Sequence, residues 1–267
     1  MLHLLTIDLK KLTSYRTFWV VVGLYFITLG FTTASGMEFL KWLASKGAEF
    51  GSVININRIP LYHFPDIWQN LIYVSGFFKL ILAFMVIISV TNEFTYRTIR
   101  QNIIDGLSRT EFLLSKVLTN VLLSLLSCLM IFFIVMLTGL IYTPDLELSY
   151  LFADIGFLAA YFLEIFAFLS YALMLGLLIQ RSGLTIVVIS LSHMLEFIVK
   201  ANIDDTLPAM IPFFPMESIS NLVAMPFPRY VFQEIQDYVS ISSVAIALFW
   251  TVAFNYFSYL KLKKADL

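Results

Sequence analysis

Long apolar runs alternate with short polar ones along this chain of 267 residues. Windows of about 20 apolar residues, the length of helix that crosses roughly 30 Å of hydrocarbon, recur at 17–36, 71–91, 117–142, 155–179, 183–199 and 239–260. The pattern predicts six spanning helices in one domain over 1–267, with the fifth span the shortest. The first, third and sixth windows carry no charge, whereas the second holds Lys79, the fourth Glu164 and the fifth Glu196.

The segments between the windows have patterns of their own. In "MLHLLTIDLKKLTSYRTFW" the leucines at 2, 5, 9 and 12 recur at helical spacing while Asp8, Lys11 and Tyr15 turn elsewhere. Residues 1–16 therefore read as an amphipathic helix lying in the membrane interface. Cleavage as a signal peptide at "TTASG" is disfavoured, because the apolar run is long for that role and the basic residues lie well inside the chain. Residues 37–70 are polar, aromatic and proline-containing, which predicts an ordered external loop with Trp42 and Trp68 at the interface. Residues 200–240 carry prolines at 208, 212, 215, 226 and 228 yet stay apolar. Short helices re-entering the outer leaflet before the last span fit that composition, since irregular backbone at membrane depth survives only inside protein or beside a wet cavity.

Composition narrows the class. Hydrophobic residues make up 60% of the chain and charged ones 13%, far from the roughly 45–50% and 25% of soluble domains, so the reading is an all-α integral membrane protein. A formal net charge of -1 gives no reason to expect nucleic acid as a partner. With both termini inside, eleven of the 17 Lys and Arg residues fall on cytoplasmic segments, five outside, and Lys79 within a span. That asymmetry obeys the positive-inside rule and predicts cytoplasmic termini. Cys128 is the only cysteine, which excludes an intrachain disulfide.

The most polar run of the first half is "NEFTYRTIRQNIIDGLSRTEFLLSK" at 92–116. If the second span continues helically, Glu93, Arg97 and Arg100 share a face on which Glu93 and Arg97 pair, with Ile99, Ile103 and Ile104 opposite. Gly106 then supplies a turn, Ser108 an N-cap and Glu111 the third position of a capping box. Spacing alone leaves two readings open: a solvated loop with routine inner-face charge, and a short helix that docks a cytosolic partner.

This stretch resembles the signature region of ABC-2 type permeases, the membrane subunits of ATP-binding-cassette transporters. An acid, a Gly-Thr pair, a Pro-x-Ser-Arg turn and a terminal lysine recur there in this order. The matching residues are Glu93, Thr98, Leu107, Ser108, Arg109, Glu111 and Lys116, while Arg97 stands where glycine is usual and Gly106 where proline is common. The six-span plan resembles the bacitracin-exporter-like and gliding-type members. The resemblance implies that residues 93–109 couple the chain to a cytosolic ATPase dimer, through Glu93, Arg97, Thr98, Arg100, Gly106, Ser108 and Arg109. It also implies a second permease subunit, residence in the bacterial cytoplasmic membrane, export, and ATP and Mg bound by the partner rather than by this chain. No G-x-x-x-x-G-K-[ST] phosphate loop occurs in the sequence, and no catalytic role is assigned here.

Intramembrane charge is costly, so Lys79, Glu164 and Glu196 are candidate functional groups. Either Lys79 and Glu164 pair inside the bundle, or Lys79 snorkels outward while Glu164 is protonated or bonded locally. His193, Glu196 and Lys200 share a face of the fifth span, a poor metal set for want of converging ligands. Two other classes compete with the permease: a scaffold subunit of an envelope complex with the same topology, and an intramembrane enzyme, for which paired acids or histidines at catalytic spacing are wanting.

Overall fold

The computed structural model describes residues 2–46, 60–104, 106–144, 147–203, 207–231 and 234–264. Among them the regular elements are all helical: α1 (Leu2–Thr13), α2 (Arg16–Ser45), α3 (Ile67–Gly76), α4 (Lys79–Thr95), α5 (Thr98–Ile104), α6 (Arg109–Tyr142), α7 (Leu148–Leu151), α8 (Gly156–Ile179), α9 (Ser182–Ile203), α10 (Pro215–Ser220) and α11 (Ile241–Lys264). Five of these helices are long and apolar enough to cross a membrane, and α3 with α4 makes a sixth if that bent pair is one span. The chain is a multi-pass membrane protein.

Helix α8 is the hub. Its most apolar window is 67% buried, against 22% for those of α2, α9 and α11, and it packs against α3, α4, α6, α9, α10 and α11. The outer helices turn Phe31, Phe133, Phe197 and Phe249 away from the core, as helices solvated by lipid do. Close crossing of α8 and α4 depends on Gly176, where a Cβ would collide with Val90.

Three expected boundaries move. Helix α2 continues to Ser45, about 45 Å of helix, because "MEFLKWLAS" is made of good helix formers and Glu38 is tied both to Lys41 at 2.9 Å and to the Tyr142 hydroxyl at 2.7 Å. The external loop expected at 37–70 is therefore shorter at its start, and its segment 47–59 lies outside the described residues. The second window, 71–91, is two helices bent by 41° at Phe77 and Phe78. The third long helix begins at Arg109 rather than 117, capped by Ser108.

Helix α3 is enclosed on almost every side, and its polar residues hold the surrounding turns: Gln69 donates to the carbonyls of Ala224 (3.0 Å) and Gln236 (2.9 Å), Asn70 to the Leu61 carbonyl and the Tyr230 hydroxyl, and Trp68 to the Leu151 carbonyl. Arg229 is ion-paired with Asp66 just before α3. These bonds order the proline-rich stretch, in which α10 starts at Pro215 in the N1 position that suits its missing N–H. The α8–α9 turn closes through Gln180 in the left-handed region, φ 59°.

Candidate functional site

The end of the bundle carrying α1, α5 and the last turn of α11 holds a buried ion network. Asp8, Glu93 and Lys116 are 3%, 5% and 5% exposed, and charges buried to this degree persist only when paired and hydrogen-bonded. Here they are. The Lys116 ammonium donates to Asp8 Oδ1 at 2.6 Å, to Ser89 Oγ at 3.1 Å and to Glu93 Oε1 at 3.3 Å. The second Asp8 oxygen accepts from Thr119 at 2.6 Å. Glu93 Oε2 accepts from the Thr98 hydroxyl and from Asn102 at 3.5 Å, and Lys11, 3.6 Å from Glu93, donates to Asn102 at 2.7 Å. Two acids and two ammonium groups thus join α1, α4, α5 and α6 in a cluster without net charge. A cavity of about 230 Å³ opens beside it, bounded by Tyr15, Phe18, Met85 and Asn92.

The pairing of Glu93 with Arg97 expected from a continuous helix does not form. Helix α4 stops at Thr95 and Arg97 is exposed in the left-handed region at φ 57°, so the face that would align the two is broken. The expected stripe Ile99, Ile103 and Ile104 also divides: Ile99 is buried and Ile103 packs on the core, while Ile104 is 78% exposed. Tyr96 and Arg97 in the link before α5, and Arg100 and Ile104 on α5 itself, are consequently exposed.

Both caps around residue 106 follow the expected chemistry. Gly106, at φ 98°, ends α5 with its N–H on the Ile103 carbonyl while Leu107 N–H reaches the Asn102 carbonyl at 2.9 Å, a Schellman closure. Ser108 accepts from the Glu111 N–H, and the Glu111 carboxylate accepts from the Ser108 N–H at 2.8 Å, completing the capping box. Arg109 faces inward instead of outward. Its guanidinium donates to the carbonyls of Leu262 (3.2 Å) and Lys263 (2.6 Å), a cation on the C-terminal turn of α11.

At mid-bundle Lys79 and Glu164 do pair, at 2.6 Å, 8% and 4% exposed. Gly76 permits it, because a Cβ there would come 2.7 Å from Glu164 Oε1. Glu196 is a strut rather than part of that pair: its oxygens accept from the N–H groups of Met216 (2.8 Å) and Glu217 (2.7 Å), and Lys200 bridges Glu196 at 3.9 Å to Glu217. His193 leaves that polar face and borders the cavity beside Lys79 and Glu164.

The family model described as a protein of unknown function, DUF2705, matches residues 49–267, most of the chain. The chain belongs to the DUF2705 family. No curated protein matches it. Within this DUF2705 chain the match takes in α3 to α11, and with them Glu93, Lys116, the Lys79–Glu164 pair and the surface of α5. Asp8 and Lys11, which complete the ion network from α1, lie before the matched residues. Asp8 and Lys11 are site residues that sequence reading passed over. Their signal was an acid and a base sharing a helical face with Tyr15, read only as turned elsewhere than the leucines.

Proposed function

We propose that this DUF2705 chain is the permease subunit of an ABC-2 type transporter that works with a separate cytosolic ATPase. The observation that carries this reading is the surface around α5: a seven-residue helix hung between two long helices, showing Arg100 and Ile104 outward, with Arg97 exposed just before it, while its base is clamped by the Asp8, Glu93, Lys116 network. A helix held that firmly passes a push from a docked partner into α4 and α6 rather than absorbing it. Arg97 adds support: it stands where the similar permeases have glycine, and its backbone takes the positive φ that glycine adopts at no steric cost. Gly106 is a departure, since its φ of 98° is closed to the proline common at that position; in this chain a Schellman glycine makes the turn.

On this reading there are six spans, with α3 and α4 together forming the second, and α1 lies in the inner interface. The segment around α10 re-enters the outer leaflet and shapes an outer gate. Both termini are cytoplasmic, the membrane is the bacterial cytoplasmic membrane, and two such subunits enclose the export path. ATP and Mg belong to the partner ATPase dimer.

The test is co-purification of the tagged chain from mild detergent, with and without Arg97→Glu plus Arg100→Glu. Arg109 is left intact because it holds α11. Recovery of a phosphate-loop ATPase that the double reversal releases is the expected result. No ATPase in any of several detergents would overturn the permease reading and favour a scaffold.

A further inference from the structure

A second cavity, of about 360 Å³, lies between α3, α4, α8 and α9, with Tyr73, Phe77, Phe168 and Ile189 as apolar walls and Ser190 and His193 at its side. That size falls in the range of small-molecule sites, which are mostly apolar with a few converging polar groups. Lys79 and Glu164 both border it. The buried ion clusters around Lys116 and around Lys79 differ in one respect. Around Lys116 every charged group has further partners, from Ser89, Thr98, Asn102 and Thr119. Lys79 and Glu164 make, among the described residues, only the hydrogen bond to each other. The ammonium has two more protons, its flank resting on the Phe168 ring at 5.4 Å, and the carboxylate's second oxygen accepts nothing from a described residue.

A buried ion pair is a poor stabiliser against an apolar pair of similar volume unless its remaining donors and acceptors are met. Both charges sit where α3 and α4 break, and Gly76 is needed to let the carboxylate in. An arrangement that incurs the cost of burial and then leaves two ammonium protons and a carboxylate oxygen side by side on a cavity wall is built to be completed from the cavity. We infer that this cavity binds an amphipathic molecule, an apolar body whose head accepts one hydrogen bond from Lys79 and donates one to Glu164, as a carboxamide does. An acyl chain from the bilayer could fill the walls but would meet neither charge. For the permease reading this names a cargo class, and only the word cargo rests on that reading.

The experiment uses the full chain in phosphatidylethanolamine and phosphatidylglycerol nanodiscs with no ATPase present, so that it reads binding alone. Two photoactivatable probes are compared: a diazirine-bearing dodecanamide and the matching diazirine-bearing dodecane. The amide is expected to label the peptides around Tyr73 and His193 saturably and about tenfold more than the alkane, the scale of one hydrogen bond to a charged group. Ser190→Trp, which plugs the cavity from its exposed side, should abolish that preference. So should Lys79→Met with Glu164→Met, a swap that leaves no unpaired charge. Equal labelling by both probes in the wild-type chain would show bilayer occupancy and overturn the inference, as would amide labelling that survives Ser190→Trp. If the double methionine variant does not fold, the plug variant still decides. Failure to recover any ATPase in the co-purification, with amide binding intact here, would sink only the permease reading.

Discussion

Lys116 is the residue on which the α1 end of the bundle turns. It neutralises two acids that reach it from α1 and α4, and removing it leaves Asp8 and Glu93 buried with only the half-exposed Lys11 ammonium near Glu93. Removing one member of a buried cluster costs about 3–5 kcal/mol, so Lys116→Met should lower the thermal midpoint in detergent far more than surface substitutions do. Combining it with Asp8→Asn should cost less than the two single changes added together, because one substitution removes the charge that the other strands. Strict additivity in that cycle would mean that the network is not a unit.

At the scale of elements, the short link from α4 through α5 to α6 is governed by backbone chemistry. Arg97 carries the strain of the left-handed region, about 1–2 kcal/mol for a residue with a side chain, while glycine there costs about 0.5–1 kcal/mol in unfolded-state entropy. Arg97→Gly should therefore stabilise the chain by up to about 1.5 kcal/mol, seen as a raised thermal midpoint, and on the permease reading weaken ATPase recovery because a cation leaves the edge of the α5 surface. A variant that gained stability and kept full docking would place Arg97 outside the interface. At the other end, Glu196 ties α9 to α10 through two backbone N–H groups, which anchors the start of α10 to α9.

For the whole molecule the pattern of ends is the testable quantity. Lys11 meets Asn102, and Arg109 meets Lys263, at one end; Asp66 meets Arg229 at the other. Cysteines placed at Ile104 and at Met225, both well exposed, in a Cys128→Ser background, report the two ends separately. In intact cells a membrane-impermeant maleimide should label Met225→Cys directly and Ile104→Cys only after permeabilisation. The reverse pattern would invert the proposed topology, and equal labelling of both would contradict the odd number of crossings, α6, α8 and α9, between them.

Much of the architecture was legible in the sequence because lipid and backbone act locally. Runs of about 20 apolar residues mark the long helices, and Gly106, Ser108 and Glu111 mark the α5–α6 turn, since a helix end must satisfy its own backbone groups whatever surrounds it. The existence of Lys79 and Glu164 as intramembrane charges was equally plain, though their pairing was one of two open readings. Tertiary structure decided the rest. Whether the polar face of α1 meets lipid headgroups or Lys116, whether Arg109 points to solvent or to the last turn of α11, and where the second apolar window breaks all depend on contacts between segments far apart in the chain. Helical periodicity states which residues share a face; only packing states what that face meets.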